Sequence, residues 1–143
     1  MKRLLAPLTV LLLLAGVAAV SQTSPAPRKH KVVFSMNSPE PAWGQVLNNI
    51  ANMKAAFAGE EVQVEVVCFG KGISLLLKDN KAYEERLQKA AAEGVVFAAC
   101  KNSMRLRKLT EDDLFKFAQP VDSGAAEVVR KQEAGWSLMK SGE

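Results

Sequence analysis

Gly94-Val95-Val96-Phe97-Ala98-Ala99-Cys100-Lys101-Asn102-Ser103-Met104 decides the fold. Val95–Cys100 is six apolar residues in a row between a glycine and a polar segment. A run that short and that uniformly apolar reads as a strand buried on both faces, the kind found at the centre of a parallel sheet. Gly94 closes the preceding Lys81–Glu93, whose composition (KAYEERLQKAAAE) is that of a helix.

Working outward, the same alternation recurs. Lys31–Ser35 is a first short apolar strand. Ser38 is placed to cap the next helix, with Pro39 at its first position, where a missing N–H costs nothing. Trp43, Val46, Leu47, Ile50, Met53 and Phe57 follow at spacings of three and four, one apolar face of a helix that ends near Gly59. Glu61–Phe69 is a second strand, broken by Gly70 and Gly72, and Ile73–Leu77 a short helix. On the far side of Cys100, Thr110 and Asp113 form a capping-box pattern. Ala118–Asp122 is a weak strand whose Pro120 means that it starts late or lies near an edge, Gly124–Glu133 a helix stopped by Gly135, and Trp136–Lys140 a last strand. Strands alternating with helices predict an α/β fold: a single three-layer α/β/α domain with a mainly parallel sheet of about five strands. A flavodoxin-like order is expected, with the first strand between the second and third. Reactive groups then gather at the carboxyl edge, at Ser35–Pro41, Phe69–Gly72, Cys100–Met104 and Asp122–Gly124.

The 143 residues make one domain, and 48% hydrophobic with 24% charged is a globular balance. Met1 to Ser21 reads as a secretory signal. Lys2 and Arg3 precede an apolar run, Leu4 to Val20, and small residues follow, with Ala19 and Ser21, or Gly16 and Ala18, at cleavage spacing. The alternative is a retained anchor, but the run is shorter than the ~20 residues that span a bilayer and contains Pro7. Residues 22–30 form a Pro-containing linker and 31–140 the folded domain. The expected location is exported and periplasmic, with no stable membrane span after cleavage. Losing Lys2 and Arg3 from 19 bases leaves 17 against 15 acids, a net charge of +2 rather than +4, so no nucleic-acid partner is expected.

His30 is the one histidine and falls in the linker, neither cysteine belongs to a CxxC pair, and Gly70-Lys71-Gly72 matches no phosphate-binding loop. Neither metal nor cofactor is called for. Cys100 is the candidate for chemistry. It ends a buried strand, a polar loop (Lys101, Asn102, Ser103) follows, and Lys101, Arg105, Arg107 and Lys108 crowd the segment, all of which favour a thiolate. The competing reading is a small apolar residue finishing a core strand. Cys68 reads as more buried. In the expected strand order the two thiols lie ~9–10 Å apart, beyond disulfide reach, so both are expected free.

The pattern resembles the DsrE/DsrF-like proteins. The resemblance is carried by Trp43 with Leu47-Asn48-Asn49-Ile50-Ala51-Asn52, by Val66-Val67-Cys68-Phe69-Gly70-Lys71-Gly72-Ile73, and by the Gly94–Met104 stretch. Val121-Asp122-Ser123-Gly124 and Gln132-Glu133-Ala134-Gly135-Trp136 complete it. It implies a compact α/β/α domain, assembly into trimers or hexamers, and a persulfide carried on a cysteine after a central strand, the position of Cys100. Lys101, Asn102 and Ser103 would support that thiol, and a sulfur donor or acceptor protein would be the partner. Relatives with this pattern often carry His where this chain has Phe69. Two functions stay open: a sulfur carrier or sulfurtransferase using Cys100, and a non-catalytic oligomeric module that binds a ligand or partner, with Cys100 structural.

Overall fold

The computed structural model describes residues 28–140, so the signal segment and most of the linker lie outside the described residues. Five strands, β1 (Lys29–Met36), β2 (Glu61–Cys68), β3 (Val96–Cys100), β4 (Ala118–Val121) and β5 (Ser137–Lys140), alternate with four helices. The helices are α1 (Ala42–Ala56), α2 (Glu84–Ala92), α3 (Lys101–Leu106) and α4 (Gly124–Glu133). Every strand pairing is parallel. Among the described residues no helix is long and apolar enough to cross a membrane.

The α/β fold and all-parallel sheet agree with the sequence, but the strand order does not. It is β4-β3-β2-β1-β5, so β2, not β3, stands at the centre, and β1 does not separate β2 from β3. The reason lies in burial: Val64, Glu65, Val66, Val67 and Cys68 are buried in succession, so β2 needs a strand on each side and a layer on each face. β5, whose four side chains are all exposed, suits an edge and pairs with β1.

This order sets the layers. The chain steps β1, β2, β3, β4 in one direction, and right-handed crossovers put each connection on the same face. There α1 and α2 cover Val32, Phe34, Met36, Val64, Val66 and Phe97 in the larger core. From β4 the chain returns across the whole sheet to β5. The direction is reversed, so α4 lands on the opposite face, over Val33, Val67 and Ala98, with Val128 its buried contact.

Local departures have simple causes. β1 starts at Lys29, so His30 belongs to the strand and not to a linker. Its Nε2 lies 2.8 Å from Glu60 Oε2 and its ring stacks on Phe57 with centroids 3.9 Å apart. Ser38 does not cap α1. Ser38 and Glu40 each precede a proline, and a residue before proline is kept out of helical geometry, so the helix waits until Ala42. The Ser38 carbonyl instead accepts a 3.0 Å hydrogen bond from Trp43 Nε1. The polar segment after Cys100 is not a loop but the first turn of α3.

Candidate functional site

The two cysteines sit on adjacent strands, one residue out of register, because Cys68 pairs with Ala99. Successive side chains in a strand point to opposite faces. Cys68 therefore lies in the larger core with Ala99, and Cys100 shares the α4 face with Ala98. Both are free, as expected, but opposite orientation keeps them apart, not an intervening strand. Burial alone pushes the Cys68 thiol far above its ordinary pKa.

Cys100 is also nearly enclosed, 4% exposed, but differently surrounded. Desolvation pushes its pKa up. Hydrogen bonds from the Ser103 hydroxyl and from the backbone N–H groups of Gly124, Ser103 and Asn102 outweigh that, and the thiol ends below its ordinary value. Ser103 Oγ also accepts the N–H of Gly70 at 2.8 Å, which leaves the hydroxyl proton for the sulfur.

Two turns hold these donors. After β4, Asp122 receives both Nη groups of Arg130 at 2.9 and 2.7 Å and the N–H of Ser123 at 2.8 Å. The Arg130 fork holds the Asp122 carboxyl down at about 2. Ser123 Oγ caps α4 by accepting from Ala126 N at 3.4 Å, and Gly124 follows with its N–H toward Cys100. After β2, Phe69 lies against Gly124 so closely that a Cβ there would stand 2.8 Å from the Phe69 Cβ. Phe69 is thus an apolar wall and offers no proton acceptor.

Of the residues read from the sequence, Ser103 acts on Cys100 first through its hydroxyl and then through its backbone N–H, and Asn102 through its backbone N–H. Lys101 is aimed elsewhere, with Nζ 3.9 Å from Glu111. Arg105 bonds Asn102 Oδ1 and Arg107 bonds Ser74 Oγ. The sequence reading placed Asp122–Gly124 at the carboxyl edge but assigned Gly124 no role, because nothing local in the Asp-Ser-Gly turn shows that its N–H faces the thiol. Among the described residues no three His, Cys, Asp or Glu side chains converge as a metal site requires.

Cys100 pairs with Val121 across β3 and β4. The chain leaves β3 toward the α1 side and leaves β4 toward α4. The crevice between two such strands is a topological switch point, where parallel α/β sheets bind ligands.

A parallel α/β/α sheet with a buried, donor-ringed cysteine at its switch point defines a single-domain cysteine-bearing α/β protein. The chain belongs to the DsrE/DsrF-like family, a family associated with sulfur relay, whose model matches residues 30–140. Among solved structures it is similar to the protein of unknown function MTH1491 from Methanobacterium thermoautotrophicum. The identity is 30% and the TM-score 0.73, over 78% of this chain and 98% of that one. It also resembles the ychN protein from E. coli in fold, at 12% identity and a TM-score of 0.62, again over 78% and 98% of the two chains. No curated protein matches.

Proposed function

We propose that this protein is an exported sulfur carrier that holds a persulfide on Cys100. One observation carries the reading: the Ser103 hydroxyl and the N–H groups of Gly124, Ser103 and Asn102 hold the Cys100 thiol below its ordinary pKa against the rise that burial imposes. The thiolate attacks the terminal sulfur of a donor persulfide. A bond forms between Cys100 Sγ and that sulfur, the donor S–S bond breaks, and the donor leaves as a thiolate. An acceptor thiolate then takes the terminal sulfur and Cys100 leaves as a thiolate. No electron is gained or lost overall and no base has to remove a proton, so Phe69 is no obstacle. The same donors serve both steps, because a lower pKa also makes a better leaving group.

The test is alkylation by iodoacetamide across a pH series, read by mass spectrometry, then exposure to a persulfide donor. Cys100 is expected to react below the pH of an ordinary thiol and to gain one sulfur, while Cys68 stays silent in the folded protein. Ser103→Ala should move the alkylation midpoint to higher pH, and Cys100→Ser should abolish sulfur uptake. Silence of both thiols until unfolding would sink the carrier and leave the binding-module reading.

Export rests on the Met1–Ser21 segment, and homo-oligomeric assembly is proposed with it. Leu138 and Met139 on the edge strand β5 and Val129 on α4 are large apolar side chains left exposed. Native mass spectrometry of the protein recovered from the producing cell's exported fraction is expected to show a subunit beginning near Gln22, in multiples of three. A monomer retaining Met1 would contradict both.

A further inference from the structure

Beside Cys100, on the α1 side of the sheet edge, lies a cleft of about 440 Å³. Ligand pockets run from roughly 300 to 1,000 Å³, so its size suits a small molecule. Pro39 and Trp43 form one wall, Leu106 and Arg107 the opposite one, with Lys71 and Ser74 between.

Its surface is mostly apolar. Trp43 has committed its indole N–H to the Ser38 carbonyl, and the ring stands edge-on to Tyr83 with centroids 5.7 Å apart. What the ring offers the cleft is hydrocarbon. Leu106 is 80% exposed, the most exposed large apolar side chain among the described residues. Its side chain adds apolar surface to the rim of the cleft, opposite the Trp43 ring.

The polar part of the cleft has one sign. Lys71 and Arg107 line it and no acidic residue does. The hydrogen bond that engages Arg107 goes to a neutral partner, Ser74 Oγ at 2.6 Å. Among the described residues neither cation has a carboxylate within ion-pair distance, whereas Lys101, Lys116, Lys131 and Arg130 each have one. A guanidinium beside an apolar wall, free of any internal anion, is suited to a carboxylate, sulfonate or phosphate borne on an apolar body.

From this charge complementarity we infer that the cleft binds a small organic anion, its apolar body between Trp43 and Leu106 and its negative group on Arg107 and Lys71. The inference stands apart from the persulfide reading, because no cleft contact is made through Cys100. Ser103 lines the cleft and hydrogen-bonds the thiol, so a bound anion lies one side chain from the sulfur.

The probes are 8-anilinonaphthalene-1-sulfonate and its uncharged counterpart N-phenyl-1-naphthylamine, titrated into the purified protein and followed by fluorescence. The sulfonate is expected to bind one per chain and at least about tenfold more tightly than the neutral probe. Lys71→Gln combined with Arg107→Gln should remove that preference and leave neutral-probe binding unchanged. Leu106→Asp should weaken both probes. These residues are at the surface, so folding is not at risk, and Arg107→Lys should keep most of the preference. Cys100→Ser should bind the sulfonate as the parent does, which separates a failed cleft from a failed carrier. Equal affinity for the two probes, many weak sites per chain, or undiminished sulfonate binding in the double variant would overturn the inference.

Discussion

Gly72→Ala is expected to lose at least about 3 kcal/mol of stability, the upper range for forcing extra volume into packed structure. A Cβ at this position would stand 2.2 Å from the Met36 carbonyl oxygen and 2.7 Å from its carbon. Backbone, unlike a side-chain tip, cannot swing aside. That oxygen also accepts the N–H of Phe69 at 2.9 Å, and Gly72 N–H bonds the Phe69 carbonyl at 2.9 Å. Displacing it loosens the turn that carries Phe69 and Gly70 to the thiol. Thermal unfolding should show a midpoint lower by ten degrees or more, roughly what ~3 kcal/mol implies for a domain of this length. A midpoint within about two degrees of the parent would show that the end of β1 yields freely. Gly59 is the control, because nothing lies within 4 Å of its Cβ position, and its φ of +88° supplies the only objection to a side chain.

Lys131→Met is expected to cost about 3 kcal/mol near neutral pH, the usual penalty for leaving a buried charge unpaired. Glu65 is 3% exposed, on the strand face beneath α4, and its carboxylate is paired with Lys131. Lys131 also lies 3.7 Å from Glu127 and 4.5 Å from the centre of the Trp136 ring. Desolvation raises the Glu65 pKa, Lys131 opposes the rise and Glu127 adds to it. A carboxyl whose folded pKa lies above its unfolded value favours folding most when protonated, and that contribution is lost as pH rises through the folded pKa. Removing Lys131 raises that pKa further. The defect should therefore be small near pH 4, below the ordinary Glu value of ~4.3, and grow toward neutrality. Urea unfolding at several pH values measures it, and adding Glu65→Gln to Lys131→Met should recover most of the loss. A defect independent of pH would assign it to lost packing of the lysine stem.

These two sites mark how far the sequence could be read. The elements were legible because their punctuation is covalent chemistry: Gly94 and Gly135 follow helices with φ of +88° and +81°, where other residues are strained. Strand order was not legible, because β1, β2 and β3 are all apolar and burial on both faces is a property of neighbours. The polar start of α3 carries no apolar periodicity, so its single turn and a half read as a loop. Cys100 and Ser103 could be found from position. Gly124 is brought to them only by pairing of Cys100 with Val121, and that Lys101 would turn to Glu111 depends on a segment ten residues away. Glu65 passes in the sequence as one of two acids in its strand, and its partner Lys131 lies 66 positions on, across the return of the chain.

That return gives the carboxyl edge two owners. The thiol and its Gly124 donor belong to the α4 layer, and the cleft with Trp43, Leu106 and Arg107 belongs to the layer of α1 and α3. The chain crosses the sheet in opposite directions to reach them, and they meet where β3 runs into α3. Ser103 alone touches both, facing the cleft and bonding the sulfur. Residues on either side can drift in sequence without consulting the other, so a lineage could change what the cleft holds while keeping the thiol, or retire the thiol while keeping the cleft. Ser103 is the hinge of that independence, the position at which both histories would have to agree.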